Sequence, residues 1–446
     1  MLGHRPTLVD KVSADGALVL RAGNATMAWP PSTAAETFQI GSGRAAPSCL
    51  GHSCTLISGP TEAAVLYGVF RFLGAVRRDV PSIVGDAQPA NPLRMWDLWD
   101  NLDGSVERGY GGRSVFDWSA LPELSPRYRD YARLLASVGI NAIVWDNVNG
   151  CENGNQHILE HQYLGKLAPL AELFAAYGIV SLITPCFTSP ETVGGLQTSD
   201  PLDAKVISFW KSKVAEIMQL IPSFRGFLAK ADAEGQPGPM KYNRTELDGA
   251  NLFAKALDPL PGLPGGAPGV AIWRSFSHPN GRAPPPMNEQ AYFQFQRFAE
   301  FDGQFAENVV LQNKNGPFDF QVREPVHSLF GHMDHTSQIV EFEATQEYLG
   351  QAKHVCHLPS QWESYLQTEL AVDGPGKNTS LADVVSGIPL GKSNKRHLFS
   401  GTAAVSNLGP YQYRVHVLTH ATITHSTDLS CRLTYAKIHS AGLLYR

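Results

Sequence analysis

From residue 93 the chain keeps one rhythm: a short β-rich apolar run, a polar loop, an amphipathic helical stretch, then the next run. The runs fall at Leu93–Leu98, Asn141–Trp145, Val180–Thr184, Gly226–Leu228, Gly269–Trp273, Val309–Leu311, Ile339–Phe342 and Gly401–Val405. Between them Tyr131, Leu134, Leu135 and Val138 form a helical stripe ended by Gly139, and Leu167, Leu170, Phe174 and Tyr177 form another ended by Gly178. Ile207, Trp210, Val214 and Ile217 make a third stripe, and Tyr292 to Phe301 a fourth. Strand then helix, at spacings of ~30–50 residues, means parallel βαβ units. Eight of them in roughly 330 residues predict an α/β fold, a (β/α)8 TIM barrel. An open doubly wound sheet would carry GxGxxG after its first strand, and none is present.

The flanks read differently. Residues 1–92 are expected to form a small α+β domain: β-type segments at Ala17–Leu20 and Cys54–Ile57 precede a helical stripe of Ala64, Leu66, Tyr67, Phe70 and Leu73, and Pro89–Pro92 is a linker. The barrel then occupies 93–409. The stretch 410–446 holds a single carboxylate, Asp428, four histidines (His416, His420, His425 and His439) and no helical stripe where an eighth barrel helix belongs, so it is expected to be an atypical, poorly ordered tail. Apolar residues at 43% suffice for a large core, and 36 Lys and Arg against 41 Asp and Glu leave a net charge of −5 with no run of one sign. That balance argues against nucleic acid or a membrane surface as partner. No apolar stretch approaches the ~18–20 residues of a membrane span, and MLGHRPTLVDK lacks the apolar core of a signal peptide. Among six cysteines, Cys49 and Cys54 could close a small loop, while Cys151, Cys186, Cys356 and Cys431 stand alone; Asn24, Asn243 and Asn378 begin glycosylation tripeptides.

Catalytic groups of such a barrel sit just past the C-terminal ends of its strands. FLAKADAEGQPGP places Glu234 after the fourth strand, VVLQNKNGPFDFQVREP places Asp319 after the sixth, and IVEFEATQEYLGQ places Glu347 after the seventh. A lone loop glutamate is usually a solvated charge, but carboxylates at equivalent barrel positions are what glycoside hydrolysis needs: one acid protonates the leaving oxygen while another carboxylate activates water or attacks carbon. The same ends are basic. Lys230, Arg274 and Lys314 each neutralise a nearby acid or, gathered at one rim, hold an anionic sugar, Arg274 as a two-bonded fork and the lysines as point charges. Trp96 and Trp99 either pack in the core or stack on a sugar face. His157-Ile158-Leu159-Glu160-His161 fits the HxxEH pattern of some zinc peptidases, a short pattern that arises by chance, and GPGKNTS lacks the spacing of a phosphate loop. No metal or cofactor is expected.

Five longer segments, WDNLDGSVERGYGGRS (99–114), KADAEGQPGP (230–239), RTELDGAN (244–251), LQNKNGPFDFQVREP (311–325) and EFEATQEYLGQA (341–352), are similar to the α-glucuronidases of glycoside hydrolase family 67. The resemblance runs in order from about residue 54 to 409. It implies removal of α-1,2-linked glucuronic acid, or its 4-O-methyl ether, from the non-reducing end of glucuronoxylan-derived oligosaccharides, with inversion and without a metal. It implies Glu234 as general acid, Asp319 and Glu347 as the carboxylates that activate water, and Trp99, Lys230, Arg274 and Lys314 as substrate contacts. It also implies an extracellular homodimer with a helical C-terminal domain. SGTAAVSNLG (400–409) keeps the eighth-strand motif, after which the family's helical domain is missing from this sequence. That ending favours the alternative of a silent carbohydrate-binding relative, whereas the retained carboxylates favour an enzyme.

Overall fold

The computed structural model describes residues 17–24, 29–43, 53–77, 84–277, 289–321, 323–344, 358–371, 374, 377–390 and 396–406. Glu347, the Pro/Gly-rich stretch 278–286 and the tail 410–446 lie outside the described residues. Near the N-terminus, β1 (Ala17–Ala22), β2 (Phe38–Gly43), β3 (Cys54–Gly59) and β4 (Gly85–Ala87) form a sheet in the order β1-β3-β2-β4, with β1 parallel to β3 and β2 antiparallel to its two neighbours. Helix α1 (Glu62–Arg77) packs Ala64, Val65 and Tyr67 onto Phe38, Ile40 and Ile57. β2 and β4 escape a pattern search because one carries only Phe38 and Ile40 as large apolar residues and the other is three residues long.

The eight apolar runs form one closed, all-parallel barrel in sequence order: β5 (Leu93–Leu98), β6 (Ala142–Trp145), β7 (Val180–Ile183), β8 (Phe224–Ala229), β9 (Val270–Arg274), β10 (Val309–Lys314), β11 (Ser337–Glu343) and β12 (Gly401–Ser406). Around it run α2 (Pro126–Ser137), α3 (His161–Ala175), the short α4 (Ser189–Thr192), α5 (Ala204–Leu220), α6 (Glu246–Ala256), α7 (Gln290–Ala299), α8 (Leu358–Leu366) and α9 (Leu381–Val385). Their starts are chemically marked. Ser125 accepts from Arg127 N with Pro126 in the first turn, Asp203 accepts from Lys205 N and Val206 N, and Thr245 and Asp248 form a reciprocal capping box. The sequence reading passed over α6 because Gly249 interrupts its centre. The glycine is required there: a Cβ would stand 2.6 Å from the Trp273 ring and 2.5 Å from Pro239.

Strand alternation divides the core into two layers. Trp96, Ile143, Phe227, Trp273, Leu311 and Phe342 face the helices, whereas Met95, Val144, Leu182, Leu228, Ile272, Val310, Ile339 and Ala403 fill the barrel. At the N-terminal ends of the strands, fully buried Arg94 donates to Glu36 Oε2 at 2.7 Å, and Asn141 Nδ2 donates to Glu36 Oε1 at 3.2 Å. These bonds fix the small sheet to the barrel's lower face and leave the upper mouth free.

Candidate active site

Two residues beyond the barrel's apolar filling, the same phase turns polar side chains inward. Met95, Ile272, Val310 and Ile339 are followed by Asp97, Arg274, Gln312 and Glu341, all buried. Arg274 Nε and Nη2 donate to Glu341 Oε2 and Oε1 at 2.8 and 2.7 Å, a bidentate pair. Gln312 Nε2 donates to Glu341 Oε2 and Asp97 Oδ2, both at 3.1 Å. Burial, reinforced by the Glu341 charge, pushes Asp97 up to about 8. Burial alone would lower Arg274, but Glu341 outweighs it and the guanidinium is held above its ordinary value.

One further step up stand Trp99, Lys230 and Lys314. The lysine side chains are only 1% and 4% exposed. Lys314 Nζ lies 3.5 Å, the Arg274 guanidinium 5.2 Å and Lys230 Nζ 5.9 Å from the centre of the buried Phe276 ring, and Arg274 lies 5.4 Å from the Trp99 ring. Three cations from the ends of β8, β9 and β10 therefore converge on one aromatic ring. Each also holds a carboxylate: Lys230 meets Glu234 Oε2 at 2.5 Å, Lys314 meets Asp319 Oδ1 at 2.5 Å, and Arg274 meets Glu341. Each base is thus paired with a carboxylate, and the three lie together at one rim. Burial lowers Lys230 to about 8 against the pull of Glu234, and lowers Lys314, with Arg274 adding to the effect and Asp319 opposing it.

Glu234 and Asp319 sit on loops at the same, C-terminal mouth, following β8 and β10. Glu234 lies in a tight turn with φ of 48° and Gly235 at 83°, closed by a bridge between Ala233 and Gln236. Gln236 is buried; its Oε1 accepts from Cys151 N at 3.0 Å and its Nε2 donates to Glu152 Oε1 at 2.9 Å. Cys151 is joined to Cys186, 35 residues away in sequence, by a disulfide. This corrects the expectation that both cysteines stand alone: the barrel sets the loops after β6 and β7 side by side, which sequence spacing does not show. The Asp319 loop is shaped by Glu324, whose carboxylate accepts from Phe318 N, Asp319 N and Gln321 N at 2.7–2.8 Å.

Around Glu234 five side chains from three loops close a ring. Lys230 Nζ donates to Asn149 Oδ1 at 2.7 Å, Asn149 Nδ2 donates to Glu107 Oε2 at 3.4 Å, and Arg108 spans Glu107 Oε1 at 3.2 Å and Glu234 Oε2 at 3.0 Å. Sequence reasoning quoted the segment bearing Glu107 and Arg108 but gave neither a role. It left Trp96 either in the core or on a sugar face, and the core use is the one found. Trp96 faces outward, fully buried, with Nε1 donating to Tyr131 Oη at 2.5 Å, so the mouth keeps Trp99. Trp99 Nε1 is buried and has no hydrogen-bond partner among the described residues. In the HILEH segment, His157 pairs with Glu160 at 2.6 Å and His161 with Glu216 at 3.0 Å; α3 begins only at His161, so the histidines share no helix face. No metal-holding group of three or more His, Cys, Asp or Glu occurs among the described residues.

Residues 75–413 match the family model described as glycosyl hydrolase family 67 middle domain. The chain is 41% identical over 364 residues to alpha-glucuronidase A of Emericella nidulans, covering 79% of this chain and 41% of that protein. Against the probable alpha-glucuronidases A of Aspergillus terreus and Aspergillus niger it is 42% and 40% identical over 390 and 392 residues, 86% and 87% of this chain and 42% and 43% of those proteins. The chain thus spans less than half the length of the curated relatives it matches.

Proposed function

From the premise that this chain belongs to glycosyl hydrolase family 67, we propose that it hydrolyses the α-1,2 bond joining glucuronic acid, or its 4-O-methyl ether, to the non-reducing end of xylo-oligosaccharides, with inversion and without a metal. The observation that carries this is the convergence of Lys230, Arg274 and Lys314 on Phe276 between two loop carboxylates. A mouth where three buried cations gather, each balanced by one carboxylate, suits a sugar whose own carboxylate can replace one of those partners. Glu341 occupies the Nε edge of Arg274, so the uronate meets the guanidinium on its remaining Nη edge rather than in the side-on fork. Trp99, beside Arg274 at the same mouth, offers its ring to the sugar.

Glu234 then protonates the leaving oxygen. Asp319, with Glu347, removes a proton from the water that attacks the opposite face of the anomeric carbon. Inversion of this kind needs ~6.5–9.5 Å between donor and acceptor carboxyls to admit the water. The Cys151–Cys186 disulfide supports an oxidising, extracellular setting. The test is hydrolysis of aldotriouronic acid with and without chelator, by the protein and by Glu234→Gln. The expected result is chelator-resistant release of glucuronic acid, abolished in the variant while glucuronate still binds. Turnover by the variant near the parent rate would remove Glu234 from its role.

A further inference from the structure

The ring around Glu234 poses a chemical question: a group that must donate a proton is held here by two cations. Its charged members are Glu107, Arg108, Lys230 and Glu234, two of each sign, so the ring is neutral with Glu234 ionised. Lys230 is nearly sealed from water, so its pairing with Glu234 is poorly screened, whereas Arg108, 39% exposed, holds the same carboxylate at the solvent edge. Arg108 from the loop after β5, Lys230 at the end of β8 and Arg274 from β9 act on Glu234 directly; Glu107 and Tyr110 reach it through Arg108, and Glu152 lies beside the neighbouring Gly235.

Resting on the reading of Glu234 as general acid, we infer that Arg108 and Lys230 keep Glu234 ionised in the empty enzyme and that the arriving uronate, by taking over Lys230, makes Glu234 take up the proton it later donates. A uronate beside Lys230 adds one negative charge to a neutral ring, and one proton from solvent onto Glu234 restores neutrality. Lys230 loses nothing in the exchange, because one carboxylate partner replaces another. Arg108 keeps its contact with Glu107 and releases Glu234 toward the glycosidic oxygen. When the C1–O bond breaks, the leaving oxygen takes that proton and water gives up another to the carboxylate across the sugar. Departure of the glucuronate lets Glu234, again anionic, return to Lys230 and Arg108. Arg108 is thus a positioning residue that acts through Glu234, and an empty pocket keeps its acid disarmed.

The test is the pH dependence of hydrolysis in the parent protein and in Arg108→Gln. The alkaline limb of kcat/KM reports the free enzyme's acid, and that of kcat reports the acid in the substrate complex. In the parent protein the kcat limb lies about one pH unit or more above the kcat/KM limb, the scale on which a neighbouring cation moves a carboxyl. In Arg108→Gln the kcat/KM limb rises toward the kcat limb, whose position stays. A merely structural role for Arg108 would lower both parameters at every pH and move neither limb. Coincident limbs in the parent, or an unmoved kcat/KM limb in the variant, overturns the inference. Glu234→Gln separates the two claims: if it still hydrolyses oligosaccharide, the assignment of the acid falls, whereas if it is inactive, the limbs alone decide.

Discussion

Replacing Asp97 with asparagine should stabilise this protein at neutral pH, increasingly so as pH rises. Asp97 is fully buried beneath Arg274, its Oδ1 has no hydrogen-bond partner among the described residues, and burial together with the Glu341 charge pushes it up to about 8. An unfolded aspartate titrates near 3.9. Between those values the folded chain holds a proton that the unfolded chain has released, so folding opposes ionisation. The penalty is absent below about pH 4, grows by about 1.4 kcal/mol per pH unit, and levels off above about pH 8. Asparagine keeps an acceptor for Gln312 and has nothing to titrate. The difference in unfolding free energy between Asp97→Asn and the parent, measured in urea, should therefore move in favour of the variant by about 3 kcal/mol from pH 5 to pH 7. Contributions of other groups cancel in that difference. A pH-independent difference, or a variant about 3 kcal/mol less stable at pH 7, would refute the reasoning and make Asp97 an ionised counter-charge to Arg274.

Two further outcomes follow from the braces around Glu234. Gln236→Ala should lower kcat about 10- to 100-fold while KM changes little, because the loop of Glu234, the proposed acid, loses both bonds to Cys151 and Glu152; steady-state kinetics that show a rise in KM alone would place Gln236 in substrate binding instead. Cys151→Ala, which opens a loop spanning 35 residues, should cost about 4 kcal/mol in denaturant unfolding; an unchanged midpoint would mean the neighbouring loops hold without it.

What the sequence disclosed depended on how local the cause was. β5 to β11 announce themselves through runs such as AIVW and VAIWR, because parallel strands are buried on both sides. β12 is the faintest run, and its reason is steric: a Cβ on Gly401 would stand 1.9 Å from Leu93 O, so the strand that closes the barrel begins with a residue that has no side chain. Lys230, Arg274 and Lys314 were legible because each stands at the C-terminal end of a strand. Counting two residues on from inward Met95 and Ile339 would also have found Asp97 and Glu341. No periodicity points to Arg108 or Gln236, whose partners Glu234 and Cys151 lie 126 and 85 residues away. Only barrel closure makes them neighbours. The same holds for Cys151 and Cys186, which look solitary until two loops are set side by side.

The stereochemistry of the first product tests the central arrangement most directly. Proton-NMR spectra taken during the earliest turnovers on aldotriouronic acid, before mutarotation mixes the anomers, show which form leaves the enzyme. The proposed attack by water from the Asp319 side, opposite a proton delivered by Glu234, predicts that β-glucuronic acid is released first. Initial release of the α-anomer would mean that water does not enter across the sugar from Glu234, and the opposed carboxylates would have to be abandoned as the catalytic pair.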